Sequence, residues 1–238
     1  EQAIVSSKQA YAQTLQPLAK EGKVDSNPAV AARVQEITGR IIYQAIQIYP
    51  HSQSWEWSIK VIDDPEMVNA WCMAGGKMAI YTGLIQKVDP TDDELAQVLA
   101  HEISHALANH TAERMSVAMA SSLGVMGIGI ATRNSDYGRA ALSGSAMAAM
   151  LAIQLPNSRS SETEADAMGL ELAARAGYNP DAAATLWKKM EKAGGSGPAE
   201  FLSTHPSPGN RQTTLRNLAP KYMDLYLYPG PRPVYQFK

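Results

Sequence analysis

The chain has 238 residues, a formal net charge of -2, 45% hydrophobic and 18% charged residues. That length suits one catalytic domain with small appendages, and the balance is that of a packed globular chain and not of a disordered one. No basic field exists for phosphate backbones, which excludes nucleic acid as an electrostatic partner, and the single cysteine, Cys72, excludes a disulfide framework and a thiolate zinc cluster.

The start at Glu1, without methionine or a charged segment leading an apolar one, suggests a processed chain from which a signal or lipoprotein segment has been removed. From Pro28 to Tyr49 the residues Val30, Val34, Ile37, Ile41, Ala45 and Ile48 recur every three or four positions, the pattern of an amphipathic helix. Residues 57–63, 68–73 and 78–82 favour strand, and Gly75-Gly76 supplies a turn, so a small sheet is expected next. Thr91 followed by Glu94 has the form of a capping box opening a helix through Leu99 and His105.

Two stretches follow, 117–131 and 140–155, rich in Ala, Gly, Ser and Met. Polar residues interrupt both, and both are shorter than the roughly 20 residues a membrane-spanning helix needs. They are expected to pack as small-residue helices against the core, the alternative being a lid or a flap making peripheral membrane contact. Ser161 with Glu164 reads as another helix start, with Glu164 as a capping residue and Gly177 as a left-handed C-terminal cap. Asn179-Pro180 opens a further helix to about Gly194-Gly195. Beyond Gly197 the residues Pro206, Pro208, Pro229, Pro231 and Pro233 are expected to limit regular structure, leaving a tail that wraps the domain.

The chemistry concentrates in His101-Glu102-Ile103-Ser104-His105. Residues four apart on a helix share a face, so His101 and His105 can aim imidazole nitrogens at one ion, and neutral imidazole suits zinc. Glu102 is then beside the ion, placed to take a proton from a zinc-bound water whose pKa falls to about 7. A catalytic zinc needs a third protein ligand and an open position. A metzincin would supply glycine at 108 and histidine at 111, but the chain has Ala108 and Thr111, with His110 one place early. In Ser161 to Asp166, Glu162 and Asp166 share a helix face, which makes Glu162 the third ligand and Asp166 the acceptor for a ligating histidine's free N–H. His110 reads as a hydrogen-bonded structural histidine, and His51 carries no signal.

These residues resemble metallopeptidase family 48, the gluzincins that include the CAAX prenyl proteases, the HtpX and Oma types and a soluble BepA-like periplasmic branch. Four blocks carry the resemblance: Asn69-Ala70-Trp71 with Gly75-Gly76-Lys77 and Tyr81 to Leu84; Asp93 through His105 to His110; Ser161 to Asp166 with Ala176 to Pro180; and Thr204-His205-Pro206 with Arg211. Trp71 stands where phenylalanine is usual and Ala74 where proline is common. The resemblance implies an α+β, mainly α-helical, zincin-like (gluzincin) metalloprotease domain over residues 28–218, with a small β-sheet beside the active-site helix. Residues 1–27 then form an N-terminal extension and 219–238 a Pro-rich tail.

It further implies one zinc ion per chain, a substrate-binding strand edge at Asn69 to Met73, and a role for His205 at the fourth zinc position, blocking it or stabilising an oxyanion. Membrane members of the family carry spanning helices between the two ligand helices, so the short apolar stretches here resemble the soluble branch. The expected function is hydrolysis of unfolded or misassembled envelope proteins in the periplasm. The rival is a zinc-bearing chaperone or assembly factor with low or gated proteolysis.

Overall fold

The computed structural model describes residues 1–126, 137–193, 200–206 and 210–237. Helix α1 (Gln2–Lys20) precedes α2 (Pro28–Ile48), where the Asn27 side chain accepts from the N–H of Ala29 and Val30 and Pro28 stands where its missing donor costs nothing. The periodic residues Val34, Ile37, Ile41 and Ala45 are buried, as the spacing required.

Strands β1 (Ser58–Ile62), β2 (Ala70–Met73) and β3 (Lys77–Tyr81) form a sheet in the order β1-β3-β2, with β1 parallel and β2 antiparallel to β3. Gly75 and Gly76, at φ +80° and +77°, make the turn between β2 and β3. A side chain on Gly76 would run into the Trp57 ring. A short helix, α3 (Thr82–Val88), leads to α4 (Asp92–Leu107), whose N-terminus carries the capping box: Thr91 Oγ1 accepts from the Glu94 N–H and Glu94 Oε2 accepts from the Thr91 N–H. Every residue of α4 from Glu94 onward is buried, so this helix is the axis of the domain.

Helices α5 (His110–Met126) and α6 (Tyr137–Ala152) correspond to the small-residue stretches. Ala146, Ala149 and Ala152 of α6 pack with Ala10 and Tyr11 of α1 and with Trp71 and Met73 of β2, forming a second core on the far side of the sheet. Residues 127–136, part of the segment read as core helix, lid or flap, lie outside the described residues. No helix among the described residues is long and apolar enough to cross a membrane.

Helix α7 (Arg159–Arg175) packs along α4. Its cap is Ser158, whose hydroxyl accepts from the Ser161 N–H, so the helix begins three residues before the expected Ser161 start. Serine suits a cap at either position. The C-terminus matches expectation: Gly177, at φ +91°, follows the last turn, and Tyr178 N–H reaches back to Ala173 O at 2.9 Å. Helix α8 (Ala182–Ala193) follows, and residues 194–199 and 207–209, with the expected glycine stop and Pro208, are not among those described.

The Pro-rich region is more regular than expected, with α9 (Glu200–Thr204), α10 (Arg211–Leu218) and α11 (Met223–Leu227). Pro206 lies between α9 and α10, Pro229 follows α11, and Pro220 enters a helical first turn, positions where a missing N–H does no harm. The last residues cross α2 at Gly39, where Tyr235 N–H donates to Gly39 O at 3.0 Å. The architecture is mostly helical with one small sheet, which fits a zincin-like metalloprotease domain.

Candidate active site

The capping box, the burial of α4 and its anchoring to α8 fix where the two histidines point. Glu94 Oε1 accepts from Thr185 Oγ1 and Oε2 from Lys189 Nζ at 2.7 and 2.6 Å, and Gln97 donates to Asn179 O. One helical turn apart, His101 and His105 bring their Nε2 atoms to 3.0 Å from each other. Glu162, in the first turn of α7, places Oε2 at 3.3 Å from His101 Nε2 and Oε1 at 3.2 Å from His105 Nε2. A close helix crossing permits this: Gly169 sits against the backbone of Ala100 and His101, where a Cβ would lie 3.1 to 3.3 Å from main-chain atoms.

His205, just after α9, completes a group of four. Its Nδ1 is 3.0 Å from Glu162 Oε1 and 3.3 Å from His101 Nε2, and its Nε2 is 3.3 Å from Glu102 Oε1. One donor atom each from His101, His105, Glu162 and His205 lie within 4.8 Å of one another, all four residues buried. Phe201 stacks on the His205 ring at 4.3 Å, and Asn157, also buried, places Nδ2 at 3.2 Å from His205 Nδ1 and 3.4 Å from His105 Nε2.

Behind the cluster, Asp166 Oδ1 is 3.1 Å from His101 Nδ1, on the ring edge away from the other donors. Arg211 donates from Nη1 to Glu162 Oε2 at 2.9 Å and from Nη2 to Asp166 Oδ1 at 2.5 Å, its guanidinium 3.6 Å over the Trp187 ring. The sequence pattern had placed Arg211 beside the late His-Pro element without a partner; the two carboxylates of α7 are its partners.

The electrostatics favour a cation. Burial pushes the Glu162 carboxyl up, but the His101 charge and hydrogen bonds from His101, His105 and His205 outweigh it and hold the group far below the carboxylate range. Burial disfavours the His101 imidazolium, yet Glu162 and Asp166 raise its pKa to about 9. Burial drives His105 well down, keeping it neutral. A metal ion would displace the His101 proton, leaving two imidazole nitrogens and a carboxylate oxygen converging in a buried site, a donor set suited to a metal such as zinc. Glu102 lies beside it, its buried Oε1 accepting no hydrogen bond among the described residues and approached by His205 Nε2 at 3.3 Å, and burial raises its pKa, opposed by His205 and His101.

The structure thus brings together His101, Glu102, His105, Glu162, Asp166 and His205. Glu164 is not a cap as expected; Ser158 caps α7, and Glu164 Oε2 lies 3.2 Å from His110 Nε2. On the strand edge expected to take substrate, Asn69 to Met73, Cys72 O accepts from Thr111 Oγ1, and just before it Val68 O accepts from Phe201 N–H, both at 3.0 Å. The unusual Trp71 faces α1, edge-on to Tyr11 at 5.9 Å, away from the donors. Asn157 and Arg114 are two further polar groups beside the cluster. Arg114 of α5 keeps Nε and Nη1 buried without a hydrogen-bond partner among the described residues, in the field of Glu102 and Glu162. Neither carries a sequence signal, because each acts across a distance that helical spacing does not encode.

The profile of peptidase family M48 matches residues 28–219. The chain is 36% identical to the mitochondrial metalloendopeptidase OMA1 of Saccharomyces cerevisiae over 72% of its length and 49% of the relative's. It is 35% identical to the OMA1 of Arabidopsis thaliana, over 69% of the chain and 32% of the relative. It is 33% identical to the β-barrel assembly-enhancing protease of Escherichia coli, over 64% and 32%. The chain therefore spans about a third to about half of the length of these relatives.

Proposed function

The chain belongs to peptidase family M48, and from that membership we propose that it is a zinc-dependent metalloendopeptidase acting on unfolded or misassembled polypeptides. The observation that carries the reading is the buried convergence of His101, His105 and Glu162 beside the buried Glu102 carboxylate. His101, His105 and Glu162 would hold the ion, which supplies Lewis acidity that polarises a scissile carbonyl and acidifies water. Glu102 serves as general base, taking a proton from the attacking water and returning it to the leaving amine, a role its raised pKa suits. Asp166 accepts from His101 Nδ1 and fixes that tautomer, while Arg211 balances the two carboxylates. Residues 28–218 form the peptidase domain, with 1–27 and 219–238 as its appendages.

His205 is the gate. A catalytic site keeps one position open, and His205 Nδ1 fills the fourth place in the donor set. The name of the β-barrel assembly-enhancing protease supports an envelope location and quality-control role; the mitochondrial relatives support proteolysis without that location. The test is cleavage of casein or a denatured outer-membrane protein by the chain and by Glu102→Gln. Loss of a general base is expected to lower the rate by about 10²–10⁴-fold; equal cleavage by both would sink the proposal.

The fourth donor also favours a second reading, a zinc-bearing chaperone or assembly factor with gated proteolysis. Undiminished rescue by Glu102→Gln of cells lacking the protein would support it over turnover.

A further inference from the structure

His105 uses both ring nitrogens. Its Nε2 faces His101 and Glu162, while its Nδ1 points the other way, 3.0 Å from Nδ1 of His110. His110 is buried, and its Nε2 lies 3.2 Å from Oε2 of Glu164, whose side chain is 59% exposed. Asn109, at φ +64°, ends the turn after α4 in the left-handed region and brings His110, the first residue of α5, back to the ring. In a buried contact between two imidazole nitrogens one must carry the proton. With His105 Nε2 bare toward a cation, Nδ1 holds the proton and donates to His110 Nδ1, and His110 Nε2–H then donates to Glu164. One proton arrangement satisfies all three groups.

We infer that His110 and Glu164 are positioning residues, a carboxylate–imidazole pair that fixes the tautomer and ring orientation of His105 and presents its Nε2 to the metal. The inference rests on the metal-site reading above. Helix α7 supplies a parallel: Asp166 shares the face of Glu162 and reaches His101 Nδ1 directly, whereas Glu164, turned about 200° from Glu162 at a hundred degrees per residue, reaches His105 only through His110. One helix thus carries a metal ligand and the outer support of both histidines.

The experiment measures zinc affinity of the full chain by competition with a chromophoric chelator. The variants are Glu164→Ala, Glu164→Gln, His110→Ala, the double variant His110→Ala/Glu164→Ala, and Glu162→Ala as control. Loss of outer support typically weakens metal binding about 10–100-fold. Glu164→Ala and His110→Ala should each fall in that range, and Glu164→Gln, which keeps an acceptor oxygen, should restore most of the affinity. The double variant should bind no more weakly than His110→Ala, since Glu164 acts only through His110.

Unchanged affinity in Glu164→Ala and His110→Ala, with metal lost in Glu162→Ala, overturns the inference and leaves the metal site standing. Additive losses in the double variant also overturn it. Unchanged affinity in Glu162→Ala overturns the metal-site reading itself and this inference with it. If His110→Ala does not fold, the exposed Glu164→Ala and Glu164→Gln pair decides: loss with restoration supports the relay, and no loss rejects it.

Discussion

Arg211 and Glu162 form a buried charge pair, Nη1 to Oε2 at 2.9 Å, with side chains 3% and 1% exposed. Breaking such a pair from one side leaves the other charge without compensation, which typically costs about 3–5 kcal/mol. Arg211→Met is therefore expected to lower the unfolding free energy of the metal-free chain by that amount in urea titrations. A change below about 1 kcal/mol, the level of a surface pair, would mean Glu162 is neutralised by the histidines alone.

Gly169 sets the distance between α4 and α7. The atoms nearest a Cβ there are backbone of Ala100 and His101, which cannot swing aside. Gly169→Ala is expected to destabilise the fold by about 1–3 kcal/mol and to weaken metal binding by shifting Glu162 from the histidines. Gly144 of α6 is the control, because a Cβ there meets nothing within 4 Å. Gly144→Ala should stabilise by about 0.5–1 kcal/mol. Matching thermal melts for the two variants would refute the close-crossing argument.

Glu94 couples stability to pH. Burial pushes its carboxyl up, but bonds from Lys189, the Thr91 backbone and Thr185 bring it below its ordinary value of 4.5. A depressed folded-state pKa means the unfolded chain binds the proton first as pH falls, so Glu94 contributes fully above pH 4.5 and loses its contribution as pH drops through the lower folded value. Thermal melts of the chain and of Glu94→Gln should differ near neutrality and converge below that window. A pH-independent difference would show the contribution to be packing.

His205→Ala should raise basal cleavage of a short peptide severalfold, because it frees the fourth donor position. Steady-state assays with an internally quenched peptide measure this; an unchanged rate would end the gating idea.

The metal helix was legible because its signals are local: the Thr91–Glu94 capping box and the four-residue histidine spacing both lie within one helix. Glu162 was legible for the same reason, by facing the same way as Asp166. Glu164 was misread because its partner, His110, lies 54 positions away on another helix. The start of α7 falls at Ser158 and not Ser161 because two serines three residues apart satisfy the same local rule, and Ser158 is the one whose hydroxyl accepts from the helix. Arg211 fell within a recognised element, but nothing in helical period says which buried carboxylates a distant cation will meet.

The main chain around His205 is fastened on both sides. Its own N–H donates to Phe201 O, and the preceding carbonyl, Thr204 O, accepts from Asn157 N–H, each at 2.9 Å. Peeling the segment away would strand these buried groups at about 1–3 kcal/mol each, whereas turning the imidazole about its side-chain torsions breaks neither. A gate at His205, as proposed above, would therefore open by turning the ring, giving up its contacts to Glu162, Asn157 and Phe201, against a stationary backbone, a swinging door on fixed hinges and not a plug that must be withdrawn.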